Sequence, residues 1–179
     1  MGAVRVNGST SGYVELAAPA VAGSTVLTLP LGGFGKVLQV VRATDVTSRS
    51  TTSTSFTDVT GMSVTITPLK STSAVLILMT GFAVMYSASS PQVWASFQIT
   101  DSANTAVSGA EGTRSGNVLF TYTSTGEHYS PMMLVGYATP GTTSATTYKV
   151  RFKVQNTSTT VRLDNNDSTG QLYALEISA

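Results

Sequence analysis

Few side chains in this sequence are suited to chemistry, and they are scattered. The single histidine, His128, follows Glu127 in "TGEHYS". A general base needs a nucleophile or an orienting partner, and no GxSxG, HExxH or phosphate-cradling loop supplies one, so His128 is expected on a surface turn. The glycines of "LGGFGK" have G-x-G spacing, but no strand–turn–helix context follows, and a tight turn accounts for them. In "DNNDSTG", Asp164 to Gly170, four oxygen-bearing side chains stand in a row. A hard cation such as calcium could use them, yet Asn and Asp also close tight turns on their own backbone, and the spacing of a calcium loop is missing. A plain turn is the expectation, with no catalytic residue, no metal and no cofactor. With only nine acidic residues, a facing carboxylate pair for a glycan depolymerase is the least favoured of three readings, and the chain is not expected to be an enzyme.

The elements that must position these residues are strands. Charged residues make up 11% of the 179, with Lys+Arg 10 against Asp+Glu 9. No strong field is present to attract nucleic acid or an acidic membrane. Ser and Thr are heavily used while Lys and Glu are scarce, which disfavours solvent-facing helices. Cysteine is absent, so neither disulfides nor thiolate metal sites contribute. No signal-like apolar segment opens the sequence, and residues 74 to 86 are too few for a membrane helix. A soluble all-β product without membrane insertion is expected.

"TYKVRFKVQ" alternates Tyr148, Val150, Phe152 and Val154 with Lys149, Arg151 and Lys153, the period of a strand with one wet face. "VWASFQIT" repeats the pattern with Val93, Ala95, Phe97 and Ile99, and Met62, Val64 and Ile66 do so before Pro68. Eight strands are predicted, at 56–67, 74–86, 92–107, 117–123, 131–139, 146–155, 160–164 and 171–178, separated by turn chemistry. They suit an antiparallel two-sheet jelly roll, with a simpler β-sandwich as the alternative. Ahead of them, residues 1–42 read as a small β-rich N-terminal module or arm without a core of its own, and the Ser/Thr-rich stretch 43–55 as a linker. The head domain is then 56–179.

From Ala74 to Tyr86 nearly every residue is apolar, so this strand must be covered on both faces. With Leu76, Leu78 and Phe82 turned to the sandwich core, Val75, Ile77 and Met79 are left outward. Tyr173, Leu175 and Ile177 of "LYALEIS" present the same surplus. These six are expected at an oligomer interface between copies of the chain. Eight alternating strands would place both ends of the head at one pole and the loops 68–73, 101–116, 140–145 and 164–170 at the other. Asp101, Glu111, Arg114, Asn165, Asn166 and Asp167 thus become candidate receptor contacts. Tyr122, His128 and Tyr129 form an alternative aromatic surface on which a sugar could stack, while Trp94 and Tyr86 are expected in packing.

Two segments resemble virion proteins. "GSTSGYVELAAPAVAGSTVLTLP" with "GKVLQVV" resembles a module of bacteriophage tail-fibre and other virion structural proteins, those of cyanophages among them. "SFTDVTGMSVTITPLKSTSAVLI" and the closing "LYALEISA" resemble the start and end of the jelly-roll head, a tumour-necrosis-factor-like (TNF/C1q-like) sandwich, that often follows it. The resemblance covers 9–42, 55–77 and 172–179. It implies a homotrimeric tail fibre or spike, joined to other virion proteins at its N-terminal module and touching a host surface glycan or protein with its head. A capsid decoration protein, clamping the shell through its N-terminal arm, is the rival reading.

Overall fold

A computed structural model describes residues 3–7, 13–17, 36–87, 92–112, 117–121 and 126–179. The backbone forms two compact units, Met1–Phe34 and Gly35–Ala179. In the first, β1 (Ala3–Asn7) and β2 (Tyr13–Ala17) pair as an antiparallel ribbon. Two strands alone are marginal in water.

The second unit is an all-β sandwich with jelly-roll wrapping, and no helix occurs among the described residues. Its strands are β3 (Val37–Asp45), β4 (Arg49–Thr51), β5 (Thr57–Ile66), β6 (Ala74–Ser87), β7 (Gln92–Asp101), β8 (Asn117–Thr121), β9 (Gly126–Ala138), β10 (Thr146–Val154), β11 (Thr159–Leu163) and β12 (Gly170–Ile177). The smaller sheet has the order β5-β10-β7-β8. In the larger one β6 is the spine. It pairs with β9 along one edge, and along the other with β12 and then β11, whose outer neighbours are β3 and β4.

Alternation places side chains as the sequence requires in β10, where Tyr148, Val150, Phe152 and Val154 are buried and the cations between them are not. Met62, Val64 and Ile66 of β5 and Ala95, Phe97 and Ile99 of β7 complete that wall of the core. Phe97 and Phe152 meet as a tilted ring pair 5.9 Å apart. Ser96, Gln98 and Thr100 are buried as well. Residues 106–112 run along β7, with the Ile99 N–H donating to the Ala110 carbonyl at 3.0 Å.

Three expectations are corrected. The stretch 37–51 is neither N-terminal module nor linker: β3 pairs along the whole of β12, and β4 pairs β11. The polar sequence there suits an edge strand, with one neighbour and one wet face. Next, the parity of β6 is the reverse of that predicted. Val75, Ile77 and Met79 are fully buried in the core, and Leu76, Leu78 and Phe82 are partly exposed on the outer face. A uniformly apolar strand carries no parity signal, and here pairing of Leu76 with Leu175 and of Leu78 with Tyr173 sets the register. Finally, the poles are rearranged, because β3 starts the head at the end away from Thr57 and because β11 and β12 run the same way along β6 instead of alternating. Val37, Ala74, Ala138 and Ile177 are level at one end, together with Ile66, Thr146 and Asp101 of the other sheet. Loops 68–73 and 140–145 therefore share the end at which the head begins and the chain stops, not the opposite one.

Two details hold the large sheet in register. Glu176, fully buried, accepts hydrogen bonds from the Leu69 N–H (2.9 Å), the Lys70 N–H (3.2 Å) and the Gln39 amide (2.6 Å), tying the β5–β6 connection to β12 and β3. Burial works to raise its carboxyl, but these donors outweigh it and hold the group below the ordinary glutamate value. Where β11 gives way to β12, the side chain of Asn165 lies flat on Gly170: a Cβ there would come within 2.7 Å of its Cγ. Asn165 has no room to retreat. Gly170→Ala is expected to destabilise the head by about 2 kcal/mol, read as a lowered urea midpoint with an unchanged slope.

Candidate functional site

The outer faces of the two sheets differ in kind. On the smaller sheet Lys149, Arg151 and Lys153 project from β10. Asp58 binds the Lys149 ammonium and the Arg151 guanidinium, each at 2.8 Å. The Lys149 hydrogen bond leads the causes that hold the Asp58 carboxyl below its ordinary value. Lys153 lies over the rings of Phe56 (4.7 Å) and Trp94 (5.9 Å), so Trp94 packs against a cation.

On the larger sheet, register builds apolar rows across four strands. Val40, Leu175, Leu76 and Tyr137 form one, and Arg42, Tyr173, Leu78 and Val135 the next. Phe82 and Pro131 continue the surface. Met133 is 67% exposed, Val40 56% and Tyr137 52%. Arg42, the one charge in these rows, stacks on Tyr173 at 5.8 Å. Tyr173, Leu175 and Ile177 are half-buried on this outer face.

Beyond Phe82 the same face changes character. Val84 stands between Arg162 and Tyr129, and Tyr86 between Thr160 and Glu127. Ser50, Val84, Tyr86, Glu127, Thr160 and Arg162 line a recess of about 210 Å³. The Arg162 guanidinium faces Glu127 at 3.7 Å and Asp164 at 3.2 Å, and its Nε–H is buried without an acceptor. Tyr129 donates its hydroxyl to Glu127, which raises the phenol above its ordinary value.

The residues singled out by sequence do not converge. Asp101 accepts the Thr105 N–H at 2.8 Å, and Glu111 the Gly109 N–H at 2.9 Å. Both close local turns. Arg114 and Tyr122 lie outside the described residues. Asn165 is fully buried and donates to Asp45 at 3.2 Å, which removes it from any outward contact. Asn166 bonds Ser48 and Asp167, while Asp167 is exposed. Asp164 is engaged by Ser48 at 2.7 Å and by Arg162. "DNNDSTG" is thus a connection at mid-height, pinned against the gap between β3 and β4, not an apical loop. Among the described residues no group of three or more His, Asp or Glu gathers as a metal would require. His128 pairs with Met85 in the β6–β9 ladder, and His128 and Tyr129 belong to a strand rather than a turn. Arg162 and Glu127 were missed: the signal available was a charge in the short strand "TTVRL", where an outward cation needs a partner.

No protein-family model matches the chain, and no curated protein does. Among solved structures, one of the infectious bursal disease virus Gx strain aligns over 94% of this chain and 43% of its own at 16% identity, TM-score 0.32. The VP2 subviral particle of that virus aligns over 94% and 44% at 16% identity, TM-score 0.33. A Bacillus endospore appendage protein aligns over 78% and 97% at 14% identity, TM-score 0.25. The chain spans less than half the length of the viral chains. Scores this low carry no argument about function.

Proposed function

We propose that this chain is a non-enzymatic virion structural protein whose head assembles as a homotrimer through the outer face of the β6-containing sheet, forming a tail-fibre or spike head that touches the host surface. The observation that carries it is the apolar field from Val40 to Tyr137. Four strands about 4.8 Å apart and some seven residues long give it a footprint of roughly 400 Å². That is the size at which a patch on a soluble protein is ordinarily an interaction site. Its occupant is a second copy: the apolar rows carry a single charge, Arg42, which stacks on Tyr173, so apolar contact brings few like charges together, and the sheet with the cations and Asp58 remains outside. Closed symmetry then shields the field on every subunit. The resemblance of residues 9–42 and 55–77 to tail-fibre proteins supports the virion setting and the three-fold state. Several weak contacts per trimer, multiplied over fibres, give avidity without a deep site.

The decoration reading keeps one specific support, the β1–β2 ribbon, which is too small to stand alone and suits an arm lent to a partner. The two readings separate by experiment. Labelled full-length protein should sediment as a trimer at micromolar concentration, bind host cells and protect them from infection. Binding to capsid shells with indifference to cells would overturn the fibre reading in favour of decoration.

A further inference from the structure

From the recess at the polar end of the large sheet's outer face, we propose a binding site for a single neutral sugar ring, held by Tyr86, Glu127, Arg162 and the hydroxyls of Ser50 and Thr160. The inference rests on the reading that the head contacts a host surface, and it names the chemistry of that contact.

Three features point to a sugar. The first is the pairing of an aromatic face with hydrogen-bonding groups. Tyr86 is 42% exposed and borders the recess, so its ring can cover the C–H face of a pyranose while the rim meets its hydroxyls. The second is unspent hydrogen-bonding capacity. The Arg162 guanidinium and the Glu127 carboxylate are both partly exposed, and at 3.7 Å the pair is too long for a hydrogen bond. Vicinal hydroxyls, each both donor and acceptor, can bridge such a guanidinium and carboxylate. The third is size and charge. Recesses for drug-sized ligands measure about 300–1,000 Å³, and one of about 210 Å³ suits a single ring. Arg162 is already balanced by Glu127 and Asp164, so the surplus charge is negative and an acidic sugar is disfavoured. The position fits as well. The apolar rows occupy the half of the face nearer Val37 and Ile177, whereas the recess is at the other end, beside Ser87, Gly126 and Thr159.

The test uses the full-length protein and methyl glycosides of glucose, galactose, mannose and N-acetylglucosamine, with sialic acid as the anionic comparison, followed by saturation-transfer NMR. At least one neutral glycoside should receive saturation at millimolar concentration. Tyr86→Ala should weaken its binding about tenfold, and Glu127→Gln should weaken it too, with circular dichroism and cooperative unfolding retained because both side chains are partly exposed and outside the core. No transfer, transfer equal in the variants, or preference for sialic acid would overturn the site. So would a change of sedimentation in either variant without sugar, since a neighbouring copy would then be filling the recess. Cell binding that no glycoside competes would sink this site and leave the proposed function standing. Glycoside binding by a protein that ignores cells would do the reverse.

Discussion

Glu176→Ala is expected to cost the head about 3–4 kcal/mol, the largest single-residue loss among the polar side chains considered. The carboxylate is fully buried, and three donors on two other segments converge on it. Truncation leaves the Leu69 and Lys70 N–H groups and the Gln39 amide without their acceptor. Gln39 keeps the Thr67 carbonyl at 2.7 Å, but the two backbone donors both rely on this carboxylate. Glu176→Gln should be nearly as damaging, because it turns an NH₂ group toward donors. The pH dependence follows from the direction of the shift. A carboxyl held below its ordinary value of 4.5 contributes stability that is present above that value and lost as pH falls through the lower, folded one. Urea midpoints of the wild type should therefore decline below about pH 4.5, and those of Glu176→Gln should start lower and decline less. Parallel acid limbs in the two proteins would show that Glu176 is not the group responsible.

How much of this was legible in the sequence depends on how much contrast each segment carries. In β10 and the second half of β5, apolar and polar residues alternate, and period fixes both the strand and its inward side. Contrast fails in β6, where both sides are apolar. That its outer side needs cover could be read; that Val75 rather than Leu76 enters the core could not, since cross-strand pairing with β12 decides it. Contrast fails oppositely in 43–51, where an edge strand is written in small polar residues and resembles a linker. The loops were misplaced for a further reason: β11 and β12 follow one another in the same direction along β6, so the connection 164–170 does not reverse the chain as a turn between alternating strands would. Turn-forming residues misled twice more. "GEHYS" continues β9 back to Gly126, and Asn165 is a buried amide wedged on Gly170. The candidate site was the least legible part. Glu127 and Arg162 are distant in sequence and meet only because β9 and β11 flank β6. Their pairing is a property of topology, which local pattern does not encode.

Replacing Met133 and Val135 together by lysine is expected to convert the assembly into single copies without unfolding the head. Both project outward from β9 and are among its most exposed apolar side chains. In a lone subunit two lysines there would reach water, and surface substitutions of this kind typically change stability by no more than about 0.5 kcal/mol. In an assembly the same lysines would be driven into the dry rows formed with Leu78 and Thr80, each ammonium losing hydration with no carboxylate in those rows to compensate. Repeating the penalty at every interface of a ring makes the closed state lose several kcal/mol while the subunit loses almost none. Sedimentation at micromolar concentration should show one copy for the double variant and three for the wild type, with matching circular dichroism. Thr65→Lys, exposed on the opposite sheet, is the control and should leave the trimer intact. The outcome with most force is a wild-type protein that sediments as one copy: the apolar field would then face water by itself, and the physical reason for placing this head in an oligomeric fibre would be gone.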